Sequence, residues 1–216
     1  MKYILIFGAS IVHGVGGEQG GWADKIKRSF HKQMYGPDGE RKYTVYELGV
    51  PGTSLEDIQS RFESELKARV KDGSPNDIYI VFSAGTNDST AVDEPDRYKR
   101  TPEDFAADVH SFIHLAKDYS AHLLGVGVTP VDEAKTSPRN TVYYSNQRLK
   151  MFEDALQGAC AAEGAAFVPL IGIAPGDWKQ RFSYSDGLHP NDAGHEWIRN
   201  QVEPVLRQLI QQDSDD

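Results

Sequence analysis

Along the 216-residue chain, short apolar runs alternate with longer stretches in which apolar residues recur every three or four positions. The runs at 3–7, 43–48, 78–82, 122–128 and 165–170 are continuous and rich in branched side chains, as expected of strands covered on both faces. Between them, Leu55, Ile58, Phe62, Leu66 and Val70 fall on one stripe, with Ser54 as N-cap and Asp57 three residues later, which predicts a helix over 55–70. Thr101, Pro102 and Asp104 supply a cap, a first-turn proline and a first-turn acid for a helix that runs to about Tyr119. Two further helices are predicted over 143–163 and 191–211, the second interrupted by Pro204. Strands alternating with helices predict an α/β fold: a five-stranded parallel sheet, right-handed crossovers and helices on both faces.

The length suits one domain over 1–216 with generous loops, and the acidic residues 213–216 are expected to form a disordered tail. With 32 Asp and Glu against 23 Lys and Arg, the net charge of −9 disfavours nucleic acid and anionic membranes as partners. The densest basic stretch, Arg97, Lys99 and Arg100, lies among acids, and anionic substrates are disfavoured unless it turns toward a cleft. No segment approaches the roughly 18 to 20 apolar residues of a membrane span. The opening apolar run is five residues long, too short for an export signal, so a cytoplasmic location is expected. The single cysteine, Cys160, excludes an internal disulfide and lies on the stripe of Leu149, Phe152 and Leu156, as a core residue would. His110 and His114 are one helical turn apart, yet they project away from the stripe of Phe105, Val109, Phe112 and Ala116 with no Glu between them, so no metal site is expected.

In an open parallel sheet, function gathers in the loops that leave the carboxyl ends of the strands. Those loops contain Ser10, Gly49, Asn87 and the pair Asp186 and His189. A serine becomes a nucleophile when a histidine removes its proton and a carboxylate orients that histidine. Asp186 and His189 stand three positions apart in a glycine-containing turn, so one loop could present Nδ1 to Asp186 and Nε2 to Ser10. The backbone N–H groups of Ser10 and Gly49 and the Asn87 amide could stabilise an oxyanion. The glycine-rich stretch from Gly14 to Gly21 lacks the lysine of a phosphate loop and the third glycine of a dinucleotide fingerprint. No Gly-x-Ser-x-Gly elbow occurs. Tyr143, Tyr144, Trp178, Phe182 and Tyr184 fall in two loops expected to overhang the site and are candidates for a substrate pocket. His13 and His195 are expected in surface or turn roles.

Four blocks in order, Phe7-Gly8-Ala9-Ser10-Ile11, Gly49, Gly85-Thr86-Asn87-Asp88 and Asp186-Gly187-Leu188-His189-Pro190-Asn191, resemble the SGNH hydrolases, also called GDSL-type esterases and lipases. The resemblance covers nearly the whole chain. It implies a flavodoxin-like three-layer α/β/α sandwich, with Ser10 as nucleophile, His189 as base, Asp186 as its orienting acid, and Ser10, Gly49 and Asn87 as oxyanion donors. It further implies a serine esterase acting on a small-molecule ester without metal or organic cofactor. The family also holds thioesterases, lysophospholipases and carbohydrate O-deacetylases. One departure stands out: Ala9 replaces the Asp that usually precedes the serine and supports its loop. Ala9 is also the one feature in favour of a second reading, a non-catalytic binding module for a small acylated or phosphorylated ligand.

Overall fold

The computed structural model describes residues 1–215. The chain begins with β1 (Lys2–Gly8), the single-turn α1 (Ser10–His13), α2 (Trp22–His31), β2 (Tyr43–Gly49) and α3 (Leu55–Arg69). It continues with β3 (Ile78–Ser83), β4 (Ala91–Val92), α4 (Pro102–Lys117), β5 (His122–Val126), α5 (Glu133–Thr136) and β6 (Val142–Tyr143). Last come α6 (Asn146–Ala162), β7 (Ala166–Val168), α7 (Pro175–Arg181) and α8 (Asp192–Asp215). Five of the strands form a parallel sheet in the order β2-β1-β3-β5-β7. The chain steps outward from β1 to β2 and then returns across β1 to β3, so the order reverses between β1 and β3. This is the flavodoxin-like arrangement, in which ligands bind at that switch point.

Alternation along each strand builds two cores. In β1, Tyr3, Leu5 and Phe7 pack toward α3, α4 and α6 with Phe62, Phe112 and Phe152. Ile4 and Ile6 pack toward α2 and α8 with Ile26, Phe30, Ile198 and Val202. Since both faces are covered, the inner strands need few polar positions and read as nearly continuous apolar runs, while β2 at the sheet edge carries Thr44 and Glu47.

The expected caps form: Ser54 and Asp57 close a capping box on α3, and Thr101 accepts the Asp104 N–H at 3.1 Å on α4. α6 begins at Asn146 rather than 143, because Val142 and Tyr143 pair with β4 and Ser145 caps the helix. Pro204 does not interrupt α8. It lies on the exposed face, while Ile198, Val202, Leu206 and Ile210 bury the opposite stripe and hold the helix together across the missing N–H. The helix continues to Asp215. The expectation of a disordered tail otherwise falls outside the described residues. Among the described residues, no helix is long and apolar enough to cross a membrane.

A buried carboxylate fixes the carboxyl ends of two strands. Glu153 on α6 is 3% exposed, and its Oε2 accepts the N–H groups of Val128 (2.9 Å), Leu170 (3.0 Å) and Ile171 (3.1 Å). Burial pushes its carboxyl upward, and the three N–H groups oppose that shift. Gly127 is required beside it, since a Cβ there would stand 2.0 Å from Glu153 Oε2. An orphaned buried donor costs about 1–3 kcal/mol, so Glu153→Ala is expected to lower the unfolding free energy by about 3 kcal/mol or more in urea denaturation. Glu153→Gln keeps an acceptor oxygen and should lose less than half as much.

Candidate active site

β1 ends at Gly8, where the chain turns tightly into α1; a Cβ on Gly8 would lie 2.2 Å from Val12 Cγ2. Ser10 is the first residue of that helical turn. Its N–H is one of the donors that a helix start leaves without an intrahelical partner. Ala9 provides no side-chain cap, and the loop is held from outside instead. The Gly8 carbonyl accepts the Val50 N–H at 3.0 Å and Arg61 Nη2 at 3.1 Å, and the same Nη2 reaches the Leu48 carbonyl at 2.8 Å. Arg61 thus ties together the ends of β1 and β2 beside Ala9.

The loop before α8 brings its two polar residues to this point. His189 Nε2 lies 2.9 Å from Ser10 Oγ, and Nδ1 lies 2.6 Å from Asp186 Oδ2. His189 is 7% exposed. Asp186 Oδ1 accepts the N–H groups of Leu188 and His189, each at 3.0 Å, which folds the turn around the carboxylate. Arg139 Nη1 reaches Oδ2 at 2.7 Å. Burial pushes the Asp186 carboxyl up, but Arg139, the His189 N–H and ring, and the Leu188 N–H together hold it well below the usual carboxylate range. An ionised Asp186 only accepts, so Nδ1 carries the proton and Nε2 is free to accept the Ser10 hydroxyl proton.

Asn87 follows β3. Its Nδ2 donates to the Thr53 carbonyl at 2.8 Å, leaving its second amide hydrogen for the cleft that Asn87 and Ser10 both line. The neighbouring Asp88 is buried and accepts the N–H groups of Leu55 (3.1 Å) and Gly85 (3.0 Å), which pins this loop to the start of α3.

Gly49, expected as a third donor, is not presented to the site. Successive N–H groups along a strand point to opposite sides. The Val50 N–H points inward to β1, so that of Gly49 points outward, where it donates to Glu47 Oε1 at 3.2 Å. Gly49 has a packing role instead: a Cβ there would lie 2.2 Å from the His13 nitrogen. The next turn, closed from Thr53 N–H to the Val50 carbonyl at 3.4 Å, places Thr53 against Asn87 and carries Gly52 at φ +83°. The Pro51-Gly52 pair was its signal in the sequence.

A cavity of about 30 Å³ adjoins Ser10, lined mainly by Ala9, Trp22, Val126, Val128, Leu170 and Leu188, with the Thr129 hydroxyl buried and unpaired in its wall. None of the five aromatic residues expected there lines it. Trp178 and Phe182 belong to the core beside Trp197, with ring centroids 5.7 Å and 5.9 Å from it. Tyr144 packs with Val131, Leu149 and Leu188, Tyr143 pairs with Ala91, and Tyr184 is exposed. The expected rings fill the space between sheet and helices, so apart from Trp22 the cavity wall falls mainly to small and aliphatic residues. The basic stretch does not turn toward the cavity either: Arg97 pairs with Asp93, Lys99 is exposed, and Arg100 bridges Asp88 and Asp108.

His195 departs from its expected surface role. It is fully buried, with Nδ1 accepting the Trp22 N–H at 3.3 Å and Nε2 donating to the Val15 carbonyl at 3.1 Å. Burial lowers its pKa, so it stays neutral and clamps the glycine-rich loop to α8. His13 is exposed, 3.8 Å from Glu47. Cys160 is buried, its thiol pushed up to about 12 by burial. His110 and His114 both turn to Glu163, which Lys117 also reaches at 2.7 Å.

The sequence model of the GDSL-like Lipase/Acylhydrolase family matches residues 6–197. A GDSL lipase of Mycobacterium tuberculosis is 30% identical over 158 residues, which cover 73% of this chain but only 59% of that relative's own length. A lipase/acylhydrolase from Enterococcus faecalis shares the fold at a TM-score of 0.73 and 22% identity, with 96% of each chain covered. An acetylxylan esterase from Geobacillus stearothermophilus does so at 0.64 and 15% identity, covering 96% of this chain and 94% of that one. With nearly all of its length matched, the chain belongs to the GDSL-like Lipase/Acylhydrolase family.

Proposed function

We propose that the protein is a carboxylic ester hydrolase that works through an acyl-enzyme on Ser10. The observation that carries this reading is the continuous hydrogen-bond chain from Ser10 Oγ through His189 to Asp186, at 2.9 Å and 2.6 Å, beside a cavity. As Ser10 Oγ attacks the ester carbonyl, its proton passes to His189 Nε2, and Asp186 stabilises the imidazolium. The oxyanion is met by the Ser10 N–H and the free Asn87 amide hydrogen. The imidazolium then protonates the departing alcohol, and a water activated by the same nitrogen releases the acid.

The cavity size favours a short acyl group. A water molecule needs about 10–15 Å³ measured in this way, so about 30 Å³ suits two or three carbons rather than a fatty chain. The acetylxylan esterase likeness accords with acetyl transfer to water, and a carbohydrate O-acetyl ester is one natural form of such a substrate. The binding-module reading would gain from a blocked Ser10 or a displaced His189, and neither occurs.

Nitrophenyl esters of increasing acyl length provide the test. Acetate is expected to give the highest kcat/KM and octanoate a value at least about tenfold lower, since the extra chain has no pocket to fill. Ser10→Ala should abolish turnover, and equal turnover by the variant and the wild type would overturn the assignment. Asn87→Ala is expected to reduce kcat by about 100- to 1000-fold, the usual effect of losing one oxyanion donor.

A further inference from the structure

Asp186 Oδ2 has two partners. The Nδ1–H of His189 approaches at 2.6 Å, and Nη1 of Arg139 approaches the same oxygen at 2.7 Å. Oδ1 is already filled by two backbone N–H groups. The carboxylate is thus fully coordinated, and a fixed positive charge shares the oxygen that holds the imidazole. The Asp186 side chain is 20% exposed and that of Arg139 38%, so solvent screens the pair only in part.

Arg139 is held there by the fold. Its N–H donates to the Val142 carbonyl at 2.7 Å, and the Val142 N–H returns to the Arg139 carbonyl at 3.1 Å. Val142 in turn pairs with Val92 across the two-stranded β4–β6 ribbon. The same loop reaches the Asp186 turn at two further points: the Asp132 N–H donates to the Gly187 carbonyl at 2.8 Å, and Lys135 Nζ to the Ser185 carbonyl at 3.1 Å.

We propose that Arg139 is a positioning residue that sets the pH range over which His189 serves as base. This inference rests on the hydrolase reading above. A carboxylate stabilises the imidazolium by its negative field, and an arginine bonded to the same oxygen cancels part of that field. Removing that guanidinium would therefore strengthen the field that Asp186 presents to the ring. The depressed carboxyl of Asp186, whose bonds include that from Arg139, accords with this coupling.

The other groups facing the pair do not replace Arg139. The Tyr144 hydroxyl is buried and its ionisation is raised out of range by that burial, so it stays neutral. Lys135 is engaged with the Ser185 carbonyl, and Asp132, which packs on Gly187, is paired with Lys179 at 3.0 Å. His195 is buried, and its pKa is lowered. Arg139 is the cation in direct contact.

The test compares pH profiles of kcat/KM on nitrophenyl acetate for wild type, Arg139→Gln and Arg139→Lys. Removing the positive charge is expected to move the acid limb of Arg139→Gln upward by about half to one pH unit, read from the position of the limb whatever the height of the plateau. Arg139→Lys keeps the charge and should keep the limb near its wild-type position. A uniform loss at every pH with an unmoved limb would show a merely structural role and overturn the proposal, as would a Lys variant that shifts as far as the Gln variant. Titration of the histidine ring signals by NMR in the Ser10→Ala background reads the coupling without turnover. If wild type and Ser10→Ala hydrolyse equally, the hydrolase reading fails, while the ring titration still decides whether Arg139 acts on His189.

Discussion

A parallel sheet sends every strand out at the same edge, and this one restriction organises the chemistry of the molecule. Ser10 and His189 are 179 positions apart in the chain, yet their side chains meet because β1 and β7 leave at that edge and the long segment after β7 carries His189 back to Ser10. The cost of parallel pairing is that backbone groups at the strand ends lose ladder partners where the loops depart. Three polar side chains near the site answer that need. Glu153 takes three N–H groups from the ends of β5 and β7, Arg61 spans the carbonyls of β1 and β2, and Asp88 joins the loop after β3 to α3.

These braces also explain why Ala9 is tolerated before Ser10. Support for a loop can come from its own side chain or from a neighbour that holds its backbone, and here Arg61 does the holding. The guanidinium is desolvated, which lowers its pKa, and it lies over the Phe7 ring with its carbon 5.7 Å from the centroid. Its Nη2 has exchanged hydration for two carbonyls, its plane meets an aromatic face, and Nε and Nη1 are buried without a hydrogen-bond partner.

The features legible in the sequence were those written in local chemistry. Continuous branched runs marked the sheet, Ser54 and Thr101 marked helix starts, and the Asp186-Gly187-Leu188-His189 spacing marked one turn carrying two polar groups. The misplaced features depended on direction or on long-range competition for space. Whether the N–H of Gly49 points toward β1 or away from it depends on strand register, which composition does not reveal. Trp178 and Phe182 look the same in sequence whether they roof a pocket or fill a core, and the volume between sheet and α8 claimed them. His195 gave no hint that both its nitrogens would be used by backbone. Arg139 lies in a Ser-Pro-Arg-Asn stretch that reads as plain loop, and its meeting with Asp186 arises from a two-residue ribbon too short to predict.

The two flanks of the cleft differ in freedom. On the Asp186 side the backbone is tied at Ser185, Gly187, Leu188 and His189, and any movement there would have to drag the α5 loop with it. On the other side, a methyl group added to Gly52 would meet nothing within 4 Å, and Val50 is 40% exposed. Under the hydrolase reading proposed above, an ester at Ser10 would have its acyl half confined by the cavity and its alcohol half toward the open flank. On that reading, selectivity among acids belongs to the braced flank, and the alcohol side is left to the exposed rim around Val50.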